Sequence, residues 1–156
     1  MRTASVPRAA ARLLAAAMLA LLAACSSTVP RHESDAQQRA RYAAYAGEPQ
    51  DSFTWLGSYY SWDALGDNHL VLFTTPNDAY LITVQPPCTD LNFAQAIGLT
   101  ATARTVHARL DSVIVKGWRC PINEIRKLDY TKMRADMRAE ADQAKGAASP
   151  DDKGGS

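Results

Sequence analysis

Three cysteines, Cys25, Cys88 and Cys120, carry the most versatile chemistry in this chain, because a thiolate can act as nucleophile, redox centre or metal ligand. Their spacing narrows the choice. None stands as Cys-x-x-Cys, the arrangement in which helix amides stabilise a redox thiolate, and none sits near a histidine at metal-ligand spacing. The histidines His32, His69 and His107 are scattered, so a shared site would need folding alone to assemble it, and neither a metal nor a cofactor is expected. No Gly-x-Ser-x-Gly elbow, phosphate-cradling glycine loop or dinucleotide fingerprint occurs. Asp63, Asp67 and Asp111 could supply paired carboxylates for glycoside chemistry, yet Asp63 and Asp67 suit a turn equally well. No catalytic residue is therefore assigned. The best candidates for a contact surface are Tyr59, Tyr60 and Trp62, although aromatics at a strand end also cap cores. Trp118 beside Arg119 carries the same two readings, with cation–π packing as the structural one.

Cys25 differs from the other two in what precedes it. Arg2, Arg8 and Arg12 give a positive start, Leu13–Ala24 is unbroken apolar sequence, and the small residues Ala23 and Ala24 abut the cysteine, the layout of a secretory signal. As a helix those apolar residues would extend only about 18 Å, too short for a hydrocarbon core of about 30 Å. Leu22-Ala23-Ala24-Cys25 resembles the bacterial lipobox. That resemblance implies cleavage before Cys25, acylation of its thiol and new amino terminus, and a lipid anchor in the cell membrane facing the periplasm. Ser26 stands where an aspartate would resemble an inner-membrane retention signal, so the outer membrane is favoured.

With Cys25 lipidated, Cys88 and Cys120 remain as an even pair in an oxidising compartment, and a disulfide between them is expected to contribute about 3–4 kcal/mol through loop closure. Losing residues 1–24 removes three arginines and leaves 14 basic against 16 acidic side chains. A nucleic-acid partner is excluded on that balance.

Positioning these groups falls to a chain with one domain's worth of sequence. Residues 25–33 form a polar tether, and 34–47 a helix capped by Ser34 or Asp35 and stopped at Gly47 and Pro49. The domain proper spans 51–129. Alternation over Phe53–Ser58 reads as a strand leading through the aromatic trio to a turn at 63–68. The runs 69–75 and 79–85 flank Pro76-Asn77-Asp78 as a hairpin covered on both faces. A short helix after Asp90 carries Leu91, Ala94 and Ile97 to Gly98. Thr105–Leu110 alternates with Val106, Ala108 and Leu110 inward, Asp111-Ser112 reads as a turn, and Val113–Val115 as a strand. Ile122, Ile125 and Leu128 recur every three residues, which fits a short helix or a bulged strand. A solvated helix over 130–146 has a narrow seam of Met133, Met137 and Ala141, and 147–156 reads as a disordered tail. The expected class is α+β: a small single domain with an antiparallel sheet of four to six strands, a short packed helix, and flanking N- and C-terminal helices.

From Trp55 to Leu128 the chain also resembles a family of uncharacterised proteobacterial lipoproteins defined only as a domain of unknown function. The residues that carry this are the Trp-rich first strand, Tyr80-Leu81-Ile82 running to Cys88, Asp111-Ser112-Val113, and Cys120-Pro121-Ile122 with Ile125. The resemblance implies a two-cysteine domain behind a lipobox and no catalytic residues. The expected role is a non-enzymatic envelope accessory or binding module, with an envelope protein as possible partner; the alternative is a small hydrolase-like enzyme.

Overall fold

The structure, a computed structural model, describes residues 33–147. The expected signal segment 1–24, Cys25, the expected tether up to residue 32 and the residues 148–156 lie outside the described residues. Helix α1 (Asp35–Ala44) begins at a reciprocal cap: Ser34 Oγ accepts from the Gln37 amide, and Gln37 Oε1 accepts from the Ser34 amide at 3.0 Å. It ends before Gly47. Ala46–Gln50, expected as a helix stop, forms strand β1, where Pro49 is tolerated because the strand has only one neighbour.

The other strands are β2 (Ser52–Thr54), β3 (Ser61–Ala64), β4 (His69–Phe73), β5 (Ala79–Val84), β6 (Ile97–Leu99), β7 (Thr105–His107), β8 (Ser112–Val115) and β9 (Trp118–Leu128). Helix α2 (Tyr130–Ala147) follows. The architecture is α+β, built on an antiparallel sheet in the order β3-β4-β5-β9-β8-β6. β1 also pairs with β9, giving seven strands, and β2 and β7 form a separate ladder.

Strands β4 and β5 are apolar at their centres because both faces are covered. Leu70, Leu72, Ile82 and Val84 join the main core with Val113, Val115 and both domain cysteines. On the opposite face Val71, Phe73, Ala79, Leu81 and Leu128 pack under Tyr42 of α1 and Tyr130 of α2. Met133, at the start of the α2 seam, is buried, and Met137 is exposed.

The spacing of Ile122, Ile125 and Leu128 arises from a bulge. Val84 pairs with Ile122 and Thr83 with Glu124, leaving Asn123 as an extra residue in β9. That residue keeps Ile122 and Ile125 on the main-core face, and the next three-residue step carries Leu128 to the other.

Four local expectations are corrected. The short packed helix shrinks to one 3-10 turn, Leu91–Phe93, and Ile97–Leu99 pairs with β8 instead. The strand expected over Phe53–Ser58 stops at Thr54, and Ser61–Ala64, read as leading into a turn, is a sheet strand against β4. Leu110 is 81 % exposed because the chain reverses at Arg109, whose φ is 68°. Asp111 and Ser112 are not a solvated turn but are buried, with Ser112 opening β8.

Candidate functional site

The structure joins Cys88 and Cys120 with an S–S distance of 1.95 Å. Their neighbours make the most distinctive surface of the domain. Lys116 and Gly117, with φ of 49° and 87°, form the two-residue turn between β8 and β9, a geometry that glycine makes accessible in its second position. Immediately after it, Trp118 is 75 % exposed and Arg119 is also exposed. A cavity of about 390 Å³ opens beside them, lined by Pro87, Cys88, Asp90, Trp118 and Arg119. Lys116 Nζ reaches Asp90 Oδ1 at 2.9 Å, so the hairpin is tied to the Cys88 loop by an ion pair as well as by the disulfide. The cation–π contacts of the described residues lie elsewhere, with Lys132 over Tyr45 and Arg134 over Tyr130.

The aromatic trio does not share one surface. Tyr59 is half-buried and stacks on Trp55 at 6.4 Å, Trp62 lies opposite Leu72 against the main core, and Tyr60 is exposed. Asp63 and Asp67 do not pair as carboxylates; Asp63 is in β3, and Asp67 accepts from the Asn92 side-chain amide at 3.2 Å.

Folding does bring His107 and Asp111 together, but the carboxylate is held by the His107 amide and a threonine hydroxyl and not by the imidazole. Asp111 Oδ2 accepts from the His107 amide at 2.8 Å, and Oδ1 accepts from the Thr100 hydroxyl at 2.8 Å. Thr100 Oγ1 in turn accepts from the Ser112 amide at 2.8 Å. The His107 ring nitrogen is 3.5 Å from the carboxylate, long for a hydrogen bond. The arrangement clamps the β7–β8 connection. Sequence reasoning missed it because Asp-Ser has the composition of a turn; the threonine partner eleven residues earlier has no local signature.

A larger cavity, about 630 Å³, lies among Tyr45, Asn77, Asp78, Lys127 and Lys132. Its lysines are already paired, Lys127 with Asp78 at 3.2 Å and Lys132 with Asp136 at 2.5 Å. Tyr45 donates to Asp136 at 2.9 Å, which raises the phenol's pKa, while Lys132 and Tyr45 together lower that of Asp136. This network fastens the end of α1 to α2. Among the described residues no group of three or more His, Cys, Asp or Glu side chains could hold a metal ion.

Residues 8–144 match the model of the family of unknown function DUF6491. The chain belongs to that family. No curated protein and no solved structure matches it. Family membership takes in more than the Trp55–Leu128 resemblance did: α1, β1 and most of α2 fall within the matched range, as does the segment holding Leu22–Cys25.

Proposed function

We propose that this protein is a membrane-anchored, periplasm-facing lipoprotein that serves as a non-enzymatic binding module for another envelope protein. The charged start, short apolar run and Leu22-Ala23-Ala24-Cys25 support the anchor, with the outer membrane favoured by Ser26. The observation that carries the binding role is Trp118, a tryptophan three-quarters exposed beside Arg119 on a hairpin held by a disulfide and an ion pair. Tryptophan and arginine are the residues that most often dominate protein interfaces, and a rigid support lowers the entropy lost on binding.

Two measurements test this reading. Metabolic labelling with a fatty-acid analogue should mark the wild-type chain and not Cys25→Ala; equal labelling of both refutes the anchor. In-situ cross-linking with mass spectrometry should recover one reproducible envelope protein, lost in Trp118→Ala at unchanged protein level. Retention of that partner by Trp118→Ala removes the proposed surface.

A further inference from the structure

The face of the sheet under α1 changes character along its strands. One cross-strand row is Phe73, Ala79 and Leu128, all apolar and buried; the next is Val71, Leu81 and Arg126; the third is His69, Thr83 and Glu124. Register therefore gathers polar side chains from three strands at one end of an otherwise apolar surface. Above them α1 presents Ala36, Ala40 and Ala43, whose small side chains leave a cavity of about 400 Å³ between helix and sheet. Arg39 enters it from the helix.

Arg39 is half-buried and makes no hydrogen bond or ion pair among the described residues. The other guanidinium of the groove is engaged, since Arg126 Nε donates to Glu124 Oε1 at 2.6 Å. Glu124 thus cancels Arg126, and Arg39 is the cation of the groove that has no ion-pair partner among the described residues. We propose that this groove binds a phosphate-type oxyanion, with Arg39 as its charge partner and the Thr83 hydroxyl and His69 ring beside it. A planar guanidinium offers two parallel donors to such a group, and a hydroxyl adds a third.

His69 gives the site a pH signature. Its Nδ1 faces Asn68 Oδ1 at 2.8 Å, so in the neutral ring Nε2 carries no hydrogen and cannot donate. Burial, reinforced by Arg39 from α1 and opposed by Glu124 from β9, holds its pKa below the usual value. A bound oxyanion favours the protonated ring, and binding should tighten as the pH falls toward the depressed pKa of the free site.

The test uses the full chain in non-ionic detergent, titrated with inorganic phosphate and followed by NMR of the α1 amides and the Arg39 side chain. In parallel, hydrogen exchange of α1 is compared in phosphatidylglycerol and phosphatidylcholine vesicles. Arg39→Gln should weaken phosphate binding about ten- to a hundredfold, the range expected for losing a charge-assisted hydrogen bond. Arg39→Lys should retain part of the affinity, and Arg138→Gln, on the exposed surface of α2, should retain all of it. Saturation by inorganic phosphate, dependent on Arg39, identifies a soluble phosphate ester as the ligand class. Protection of α1 only in phosphatidylglycerol, again dependent on Arg39, identifies a lipid headgroup. Shifts or protection unchanged in Arg39→Gln, or absent with both probes, overturn the proposal. The phosphate arm does not require acylation and so stands or falls separately from the lipid anchor.

Discussion

Replacing Asp111 with alanine should be among the most damaging single changes in this domain. Its carboxylate is buried and accepts two hydrogen bonds, from the His107 amide and the Thr100 hydroxyl, each at 2.8 Å. Hydrogen bonds to a charged acceptor contribute about 1.5–3 kcal/mol each, and alanine leaves the two donors without their partner, so the expected loss is about 3–5 kcal/mol. That is a large share of the roughly 5–15 kcal/mol typical of a folded domain. With a urea slope of roughly 1.5 kcal/mol/M, the midpoint should fall by about 2–3 M, read by far-UV circular dichroism under oxidising conditions. The Asp111→Asn variant keeps one acceptor for the His107 amide and should lose about half as much. His107→Ala should cost less than about 1 kcal/mol, because the close contact comes from its backbone and the ring nitrogen is 3.5 Å away. A loss under about 0.5 kcal/mol for Asp111→Ala would refute the clamp, since that is the scale of an ordinary surface substitution. A His107→Ala loss equal to that of Asp111→Ala would show that the ring, not the backbone, carries it.

Removing the disulfide with Cys88→Ala and Cys120→Ala together should destabilise the domain by about 3–4 kcal/mol for its separation of 32 residues, measured by the same urea midpoint; an unchanged midpoint would mean that constraining the unfolded chain contributes nothing. His69 adds a pH dependence of defined sign. Because its folded pKa is depressed, the unfolded chain takes up the proton first, and stability present above about pH 6.5 is lost as the pH falls through the folded value. His69→Asn should flatten the thermal midpoint between about pH 7 and 5 relative to wild type, and an identical slope would remove His69 as the cause. Deleting Asn123 should restore strict alternation to β9 with Ile122 and Ile125 still two positions apart on the main-core face, and so cost less than the roughly 3 kcal/mol expected for a lost buried isoleucine. A larger loss, with tryptophan fluorescence showing a disrupted core, would refute Asn123 as the extra residue of the bulge.

Features carried by neighbouring residues could be read directly. Ser34 and Gln37 form a cap through groups three positions apart, and the β4–β5 hairpin follows from turn residues between two apolar runs. Features that depend on a distant partner could not. Ala46–Gln50 contains Gly47 and Pro49, poor strand formers, and becomes a strand only because the flank of β9 is open to pairing. The helix expected around Ile97 gave way to a strand once β8 supplied a neighbour. Leu91 to Ile97 has apolar spacing that suits either element, and pairing energy decides between them.

The sequence by itself determined the address-like N-terminal pattern, the even pair of domain cysteines, the central hairpin and the two flanking helices, because each rests on composition or on contacts within a few residues. Only the tertiary structure decided which polar groups meet. Asp111 is a buried clamp rather than a turn because Thr100 folds against it, and His69, Thr83 and Glu124 share a row beneath Arg39 because three strands pair in one register with a bulge at Asn123. Register is a property of whole strands, in which a slip of one residue moves every side chain to the opposite face, and no single residue encodes it.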